Sequence, residues 1–212
     1  MDRKFKCAII GYGYMGEIRH RVINKIENAE ITMICEVDFT KTQDLQGLEI
    51  VTDPKKVIES NVDVVFICTP NHLIPELTVK CLKTGKHVFA EKPPGRTLGD
   101  IESMMVAEKQ NLDTKLMFGF NHRFHPGMMK AKALVDSGNM GKIIALRGLY
   151  GKSGGKNFSN SWRNDINISG GGILLDQGIH MLDLFNYFLG GFTSVKSFLS
   201  NNQWGFDVED NA

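Results

Sequence analysis

Three glycines near the start of the chain constrain its fold more than any other feature. Gly11, Gly13 and Gly16 follow the apolar run Phe5–Ile10 and open a helical pattern with apolar residues at four-residue spacing. In such a turn the first glycine permits a tight bend, the second lets the backbone approach a ligand, and the third lets helix and strand pack closely. An acidic residue, Glu36, ends the next apolar run about 20 positions later. The combination predicts a strand–turn–helix unit that binds a dinucleotide.

The ligand's position follows from the helix that the glycines open. Free N–H groups and the dipole at a helix N-terminus favour a pyrophosphate, so we expect it to be held by Gly11, Gly13, Tyr14, Met15 and Gly16. Glu36 is placed to bind both adenosine ribose hydroxyls, and its charge would repel a 2′-phosphate. The sequence therefore predicts NAD in preference to NADP. Asp38 is interpreted as a solvated helix cap.

Short apolar runs alternate with helical patterns over the first 120 residues. Strands are predicted over Phe5–Ile10, Ile31–Val37, Val62–Cys68, Lys86–Ala90 and Lys115–Phe120. Helices are predicted over Gly16–Glu27, Pro54–Glu59, Pro75–Thr84 and Leu98–Asn111. This alternation is typical of a doubly wound parallel sheet. We therefore predict an α/β fold with a Rossmann dinucleotide-binding domain over residues 1–120.

The alternation of strands and helices ends after Phe120. Helices are predicted over Pro126–Ser137 and from about Gly172 to Leu189, and strands over Lys142–Lys152 and Thr193–Ser200. This order lacks the Rossmann alternation and predicts a partial α+β, open-sheet domain over residues 121–212.

Two loops follow predicted strands at the edge of the sheet where ligands gather. Thr69, Pro70, Asn71 and His72 follow the third strand, and Glu91 and Lys92 follow the fourth. Because ligands of open parallel sheets lie beyond the carboxyl ends of the strands, we expect both loops to border the cofactor. His72 fits a surface histidine equally well.

Proton-handling side chains recur in the second half. Asp176 and His180 lie four residues apart on a predicted helix, so they face the same side, and Gly170 to Gly172 precede them. A carboxylate, an imidazole and the ammonium of Lys92, beside a cofactor that accepts hydride, are what alcohol oxidation requires.

These motifs closely resemble the glucose–fructose oxidoreductase / inositol dehydrogenase (Gfo/Idh/MocA) family. The matching segments are Gly11–Gly16, Glu36, Cys68–Asn71, Gly85–Val88, Glu91–Pro93, Asn121–Phe124 with Pro126, Trp162–Arg163 and Ser169–His180. The resemblance implies a C-terminal open-sheet domain that binds sugar-like substrates and often mediates oligomerisation. It implies that Lys92 contacts the reacting hydroxyl and the nicotinamide ribose, that Asp176 helps to bind substrate, and that His180 exchanges the proton. Further substrate contacts are expected from Asn121, Arg123, Trp162 and Arg163.

The chain departs from the family pattern in two places. Ile74 stands where the family usually has a histidine. Family members are also generally longer, and this chain stops where a Val-Glu-Asp-Asn-Ala strand should begin, so we expect a C-terminal truncation. A sheet cut at that point exposes an edge and an apolar face. We therefore expect self-association, a homo-oligomer through the C-terminal sheet, and weak or absent turnover.

Composition excludes several other classes. Lys and Arg total 25 against 24 Asp and Glu, so the net charge is too small to attract nucleic acid or an anionic membrane. No apolar run approaches the roughly 20 residues that span a bilayer, and the first apolar run is too short for a signal peptide. The four cysteines lack metal or redox spacing and are predicted to be buried, reduced thiols of a cytoplasmic protein. His122 and His125 lack a carboxylate at ligand spacing, so no metal site is predicted.

Three functions remain open. The leading one is an NAD-dependent oxidoreductase acting on a hydroxyl or carbonyl of a sugar, cyclitol or nucleotide-sugar. The second is a glycosidase that uses bound NAD for transient oxidation, and the third is a non-catalytic NAD-binding protein. An anionic substrate is favoured if several basic residues of the second half converge on the cleft: Arg123, Arg147, Lys152, Lys156 and Arg163.

Overall fold

A parallel sheet of six strands organises the first half of the chain in the computed structural model, which describes residues 3–154 and 158–212. The strands are β1 (Phe5–Ile10), β2 (Ala29–Cys35), β3 (Glu49–Val51), β4 (Val64–Ile67), β5 (His87–Ala90) and β6 (Leu116–Phe118). Their order across the sheet is β3-β2-β1-β4-β5-β6, and each neighbouring pair is parallel. This is the strand order of a Rossmann fold, so the fold class predicted for the first half is confirmed.

The sequence missed one strand. All five predicted strands form, β1 with the predicted ends and the other four with slightly different ends, whereas β3 was not predicted. It has three residues, Glu49–Val51, which pair with Met33 to Cys35 of β2 at one edge of the sheet. A segment this short shows no periodicity, so only its pairing with β2 defines it.

Four helices of this half lie close to their predicted positions. They are α1 (Tyr14–Ile23), α2 (Pro54–Glu59), α3 (Ile74–Lys83) and α4 (Leu98–Gln110). Local side chains fix two of the starts: Asp53 accepts a hydrogen bond from the Lys55 N–H ahead of α2, and Thr97 and Asp100 form a capping box ahead of α4. Among the described helices, none combines the length and the apolar character that crossing a bilayer requires.

The core covers both faces of the sheet. Ala8 and Ile10 of β1 pack in one buried cluster with residues of α3, and Cys7 and Ile9 pack in another with Ile23 of α1. Successive side chains of a strand point to opposite faces, so the two clusters lie on the two sides of the sheet. This arrangement is the one that a parallel sheet requires.

The cysteines belong to this core as reduced thiols. All four are free within the described residues; Cys7, Cys35 and Cys81 are buried, and Cys68 is half-buried. Burial raises the pKa of the Cys7 and Cys35 thiols to about 11 and that of Cys81 to about 12, and it also raises the pKa of Cys68. The prediction of buried thiols is confirmed for the first three.

The chain divides into two compact units, and the second runs from Phe120 to Ala212. Its helices are α5 (Pro126–Asp136), α6 (Ile166–Ser169) and α7 (Ile179–Leu189), and a π-helical turn over Leu174–Gly178 leads directly into α7. The helix predicted from about Gly172 to Leu189 therefore forms in two parts. Lys156 lies outside the described residues.

Two strands predicted for the second unit do not form in the described part of the chain. Residues 142–152 and 193–199 have no regular structure, and Ser200 makes a single antiparallel bridge with Asn211. Ile144 and Phe198, which lie in these two segments, are 98% and 92% exposed. An apolar alternating pattern makes a segment suitable for a strand, but the strand forms only beside a hydrogen-bonding neighbour.

Candidate functional site

The glycine turn is closed against the protein at both ends and open in the middle. Gly11 has a φ of +90°, and a Cβ there would lie 2.7 Å from the carbonyl oxygen of Cys68. A Cβ at Gly16 would overlap the carbonyl oxygen of Gly11, so α1 packs directly on the turn. At Gly13 a Cβ would have no atom of the described residues within 4 Å. The turn therefore leaves space at Gly13, where a dinucleotide pyrophosphate would approach the backbone.

The carboxylate of Glu36 is fixed beside this turn by backbone amides. Its Oε2 accepts a hydrogen bond from the Tyr12 N–H at 2.7 Å, and its Oε1 accepts from the Val37 and Asp38 N–H groups at 2.9 and 3.0 Å. The residue is 8% exposed, and the Lys41 Nζ lies 3.9 Å from Oε1. A carboxylate offers about four acceptor sites, so the three amides leave capacity for a ribose hydroxyl.

Asp38 has the capping role that was predicted for it. It precedes a 3₁₀ turn over Phe39–Lys41, and its side chain accepts from the Thr40 N–H and hydroxyl. The hydroxyl hydrogen bond is the largest effect that lowers the pKa of Asp38.

The other residues of the predicted cofactor loops lie at the ends of the elements that were expected to carry them. Tyr14 is exposed and Met15 half-buried in the first turn of α1. After β4, Asn71 is buried, while Thr69, Pro70 and His72 are half-buried. The Thr69 Oγ1 and the His72 Nδ1 are inaccessible to solvent and have no hydrogen-bond partner among the described residues. Buried polar atoms of this kind are rare unless a ligand or water completes them, so this loop fits a cofactor.

Glu91, at the end of β5, is held by a residue that the sequence did not single out. The Arg19 Nε of α1 donates to the Glu91 Oε1 at 2.7 Å, and the guanidinium lies 4.5 Å from the centroid of the Phe89 ring. A Cβ at Gly119 would lie 2.7 Å from the Glu91 Oε2. Within the first unit, the carboxylate therefore ties α1 to β5. Lys92 follows it, half-buried, and the Lys92–Pro93 peptide bond is cis.

In the second unit, Asp176 lies in the π-helical turn and is surrounded by donors. Its Oδ2 is 3.2 Å from the Lys152 Nζ and 3.6 Å from the Arg163 Nε, and it accepts from the Gln177 Nε2 at 2.8 Å. The Arg163 guanidinium lies 4.5 Å from the centroid of the Trp162 ring. Three of the predicted substrate residues, Trp162, Arg163 and Asp176, are thus brought together.

His180 is buried in the first turn of α7 among aromatic rings. Its imidazole stacks on that of His122, with the ring centroids 4.0 Å apart and the planes 14° from parallel. The Tyr150 ring is 6.3 Å away at 20°, and Phe120 presents its edge at 6.3 Å. His122 was considered only as a metal ligand from the sequence, and its place in the Asn-His-Arg-Phe motif was the available signal.

The remaining predicted substrate residues lie on the same 3₁₀ turn, Asn121–Phe124. Asn121 is exposed. Arg123 makes two hydrogen bonds with the Asp183 carboxylate, one of them from Nε at 2.8 Å, and these hydrogen bonds raise the pKa of Arg123. The guanidinium also lies 5.2 Å from the centroid of the Tyr187 ring. The structure therefore fixes Arg123 against α7.

Hydrogen bonds to Glu209 fix the start of the π-helical turn. The sequence predicted neither the turn nor this role of Glu209. Its carboxylate accepts from the Gly172 N–H at 2.8 Å and from the Leu174 N–H at 3.0 Å, and its carbonyl oxygen accepts from the Ile173 N–H at 2.9 Å. A Cβ at Gly172 would overlap that carbonyl oxygen. The neighbouring Asp210 accepts from three backbone N–H groups at residues 202–204, and these hydrogen bonds, that from Asn202 most of all, lower its pKa.

A pocket of the second unit lies between these segments. It combines charged side chains with an aromatic group in which the Phe158 and Trp204 rings are 5.1 Å apart. Its lining includes Lys152, Phe158, Arg163, Asp176, Trp204, Phe206 and Glu209. Pockets of this composition suit polar ligands that also present an apolar face.

The two units match two descriptions of one protein family. Residues 5–120 match "Oxidoreductase family, NAD-binding Rossmann fold", and residues 128–212 match "GFO/IDH/MocA C-terminal domain". Myo-inositol 2-dehydrogenase of Thermotoga maritima is 33% identical over 190 residues, which cover 87% of this chain and 55% of that protein. Levoglucosan dehydrogenase of Pseudarthrobacter phenanthrenivorans is 35% identical over 152 residues, which cover 70% and 39%. The chain spans about half the length of such curated relatives.

Solved structures have the same fold. A structure of levoglucosan dehydrogenase in complex with NADH and levoglucosan has a TM-score of 0.88 at 28% identity, over 98% of this chain and 62% of that one. Myo-inositol 2-dehydrogenase from Lactobacillus plantarum has a TM-score of 0.79 at 31% identity, over 89% and 57%. Since sequence and fold agree over both units, the chain belongs to the Gfo/Idh/MocA family of oxidoreductases, as its motifs predict.

Proposed function

We propose that this protein is an NAD-dependent oxidoreductase that acts on a hydroxyl or carbonyl group of a sugar, cyclitol or nucleotide-sugar. The observation that carries the proposal is the Glu36 carboxylate, held by three backbone N–H groups beside the open position at Gly13. The relatives' names support the substrate class, because they are dehydrogenases of myo-inositol and levoglucosan. A related structure with NADH supports the cofactor.

The cofactor would be held by the residues at the edge of the first unit's sheet. The turn from Gly11 to Gly16 would receive the pyrophosphate, and Glu36 the adenosine ribose. The loop from Thr69 to His72, together with Glu91 and Lys92, would border the rest of the cofactor. A carboxylate at the ribose position repels a 2′-phosphate, which supports a preference for NAD over NADP.

Bound nicotinamide supplies the hydride acceptor or donor. We propose that the Lys92 ammonium stabilises the negative charge that develops on the substrate oxygen, since a fixed cation does this best in a site shielded from water. The His180 imidazole exchanges the hydroxyl proton, because imidazole changes charge near neutral pH.

The second unit, residues 121–212, is proposed as the substrate domain. Asp176, Asn121, Arg123, Trp162 and Arg163 are its proposed substrate residues. Lys152 and Arg163 both lie within 4 Å of one carboxylate, Asp176. An ammonium and a guanidinium are the groups that bind anions best, so these two residues support a substrate that carries an anionic group, such as a nucleotide-sugar.

The decisive experiment combines a binding and a turnover measurement on the purified chain. Calorimetry should detect NAD binding, and incubation of NAD with a panel of polyols, sugars and nucleotide-sugars should produce NADH absorbance. Cleavage of a glycoside without net NADH would identify the glycosidase instead. NAD binding with no turnover of any kind would identify the non-catalytic NAD-binding protein.

Two variants test the proposed roles if turnover is found. Lys92→Ala should lower kcat by roughly 100-fold or more while NAD binding is largely kept. His180→Ala should also lower kcat and flatten its rise with pH. Lys55→Ala removes an exposed lysine of α2 and serves as the control. Near-normal kcat in either test variant would remove that residue from the mechanism.

A homo-oligomer formed through the second unit is also proposed. Large apolar side chains are exposed there, among them Ile144, Leu149, Val195 and Phe198. Exposed apolar patches on this scale commonly mark protein interfaces. Sedimentation velocity measures the association state directly, and a monomer at micromolar concentration would contradict this proposal.

A further inference from the structure

The stacked imidazoles of His122 and His180 are a pair of titratable groups in close contact. The ring centroids are 4.0 Å apart and the planes 14° from parallel. Tyr150 lies nearly parallel to both, 5.7 Å from His122 and 6.3 Å from His180. His180 is 5% exposed, and His122 is half-buried. The position and the charge of either ring therefore affect the other.

We propose that His122 is a positioning residue of the candidate site, which fixes the plane of the His180 ring by stacking and keeps that ring uncharged by repelling a second proton. The proposal rests on the proposed function of His180 as the group that exchanges the substrate proton. A base must be neutral before it accepts a proton, so His122 would set the pH range in which His180 acts.

The repulsion follows from charge and distance. Two imidazolium ions at this separation are like charges in contact, and a neighbouring positive charge disfavours protonation. Such a pair takes up its two protons in separate steps that belong to the pair, not to one ring. The second proton therefore binds at lower pH than the first.

The carboxylates on the helical segment that carries His180 are engaged with cations of the second unit. Asp176, one turn before it, lies beside Lys152 and Arg163, and Asp183, in the same helix, is bound by Arg123 of the 3₁₀ turn.

The test is an NMR titration of the complete chain labelled with ¹³C and ¹⁵N in its six histidines. No cofactor or substrate is added. In the unaltered protein we expect the His122 and His180 ring signals to titrate in two linked steps. Two independent single-site curves would overturn the proposal without any variant.

His122→Phe then separates charge from stacking. Phenylalanine keeps a ring in the stack but cannot be protonated, so the His180 titration should move to higher pH by about half a unit or more. The reciprocal variant His180→Phe should move the His122 titration in the same direction. His125→Asn removes an imidazole from the same turn and retains a residue that caps α5, so it should leave both curves unchanged.

An unchanged His180 curve in His122→Phe would overturn the proposal, even if His122→Phe lowered turnover. Because the titration needs no turnover, this outcome is distinct from a failure of the proposed function. If the two histidines titrate in linked steps but the protein oxidises no polyol, the coupling is supported and the proposed oxidoreductase activity is contradicted.

Discussion

At the scale of single residues, several carboxylates of this protein are held by backbone amides. Glu36 and Asp210 each accept hydrogen bonds from three N–H groups, and the Glu209 side chain accepts from two. Hydrogen bonds to an ionised acceptor are roughly twice as strong as those between neutral groups. Each of these carboxylates therefore fixes the conformation of one turn.

Glu36→Gln tests the cofactor preference while it keeps the size of the side chain. The unaltered protein should bind NAD at least about tenfold more tightly than NADP, because a carboxylate that faces a phosphate costs on the order of a kcal/mol. The neutral amide of Glu36→Gln should reduce the ratio of the NAD affinity to the NADP affinity. Calorimetry with each dinucleotide measures both affinities.

Glu59→Gln, which neutralises an exposed carboxylate at the end of α2, is the matched control and should leave the ratio unchanged. Equal affinities for NAD and NADP in the unaltered protein would refute the preference.

The buried thiols predict how stability depends on alkaline pH. The pKa values of Cys7 and Cys35 are about 11 and that of Cys81 about 12, above the value of about 8.5 for an exposed thiol. A raised pKa in the folded state contributes stability below the unfolded value, and that contribution is lost as pH rises towards the folded value. The free energy of unfolding should therefore fall above about pH 9.

Urea unfolding between pH 7 and 10.5 measures this slope. Cys81→Ala should show a shallower alkaline decline than the unaltered protein, whatever its stability at pH 7. An identical decline would show that ionisation of Cys81 does not contribute.

Residues whose partners are close in sequence were predicted better than residues whose partners are distant. The Asp38 cap was predicted because it acts on Thr40, two positions away. Arg19 was not singled out, because its partner Glu91 is 72 positions away, and Glu209 was missed because Gly172 is 37 positions away. Contacts at that range depend on the folded topology, which residue spacing does not contain.

At the scale of elements, the glycine turn and α1 form one unit in which two glycines have different tasks. Gly16→Ala places a methyl group against the Gly11 carbonyl oxygen and should reduce the free energy of unfolding by about 1–3 kcal/mol. Gly13→Ala adds a methyl group where no described atom lies within 4 Å. It should change stability by less than about 1 kcal/mol but weaken NAD binding by roughly tenfold or more.

Urea unfolding and calorimetry on both variants separate the two effects. Each glycine serves as the control for the other. Normal NAD affinity in a stable Gly13→Ala protein would show that the open side of the turn does not receive the cofactor.

The Glu209 contact with the π-helical turn gives a second test at this scale. Glu209→Ala removes the acceptor of the Gly172 and Leu174 N–H groups, and leaving buried donors without partners costs about 1–3 kcal/mol each. Hydrogen exchange of these two amides should accelerate, while amides of the first unit's sheet keep their protection. Asp207→Ala, at an exposed carboxylate nearby, is the control. Unaltered exchange at Gly172 would contradict the role of Glu209.

Elements were predictable where periodicity and caps agree. In the first unit, α2 and α4 fulfil both conditions, and the other strands and helices were predicted from their apolar patterns alone, apart from β3, which is three residues long. In the second unit, residues 142–152 have the apolar alternation of a strand but lack a ladder partner in the described chain. The π-helical turn was not predicted, because its sequence pattern is that of an α-helix.

At the scale of the whole molecule, the apolar core is distributed unequally. Among the buried hydrophobic residues of the described chain, only Leu184 and Val208 lie beyond Gly119. Burial of apolar surface is the dominant favourable term in folding. The second unit should therefore unfold at lower denaturant concentration than the first.

Trp162 and Trp204 are the two tryptophans of the chain, and both lie in the second unit. Tryptophan fluorescence should therefore change at lower urea concentration than the main far-ultraviolet circular dichroism transition. Leu82→Ala, in the core of the first unit, should lower the free energy of unfolding measured by circular dichroism by about 2–5 kcal/mol. The fluorescence transition should not change. Coincident transitions in the unaltered protein would contradict independent stability of the units.

The glycine turn and the turn that carries Asp176 also differ in when they can be completed on the ribosome. The glycine turn packs against Cys68, so its contacts are available once the first third of the chain has been made. The turn that carries Asp176 acquires its hydrogen bonds from Glu209 only after that residue has emerged. At typical rates of about 5–20 residues per second, the delay between synthesis of Asp176 and synthesis of Glu209 is on the order of a few seconds. During that time the turn that carries Asp176 lacks its hydrogen bonds to Glu209, so a factor that binds exposed glycine-rich backbone would meet this turn and not the glycine turn.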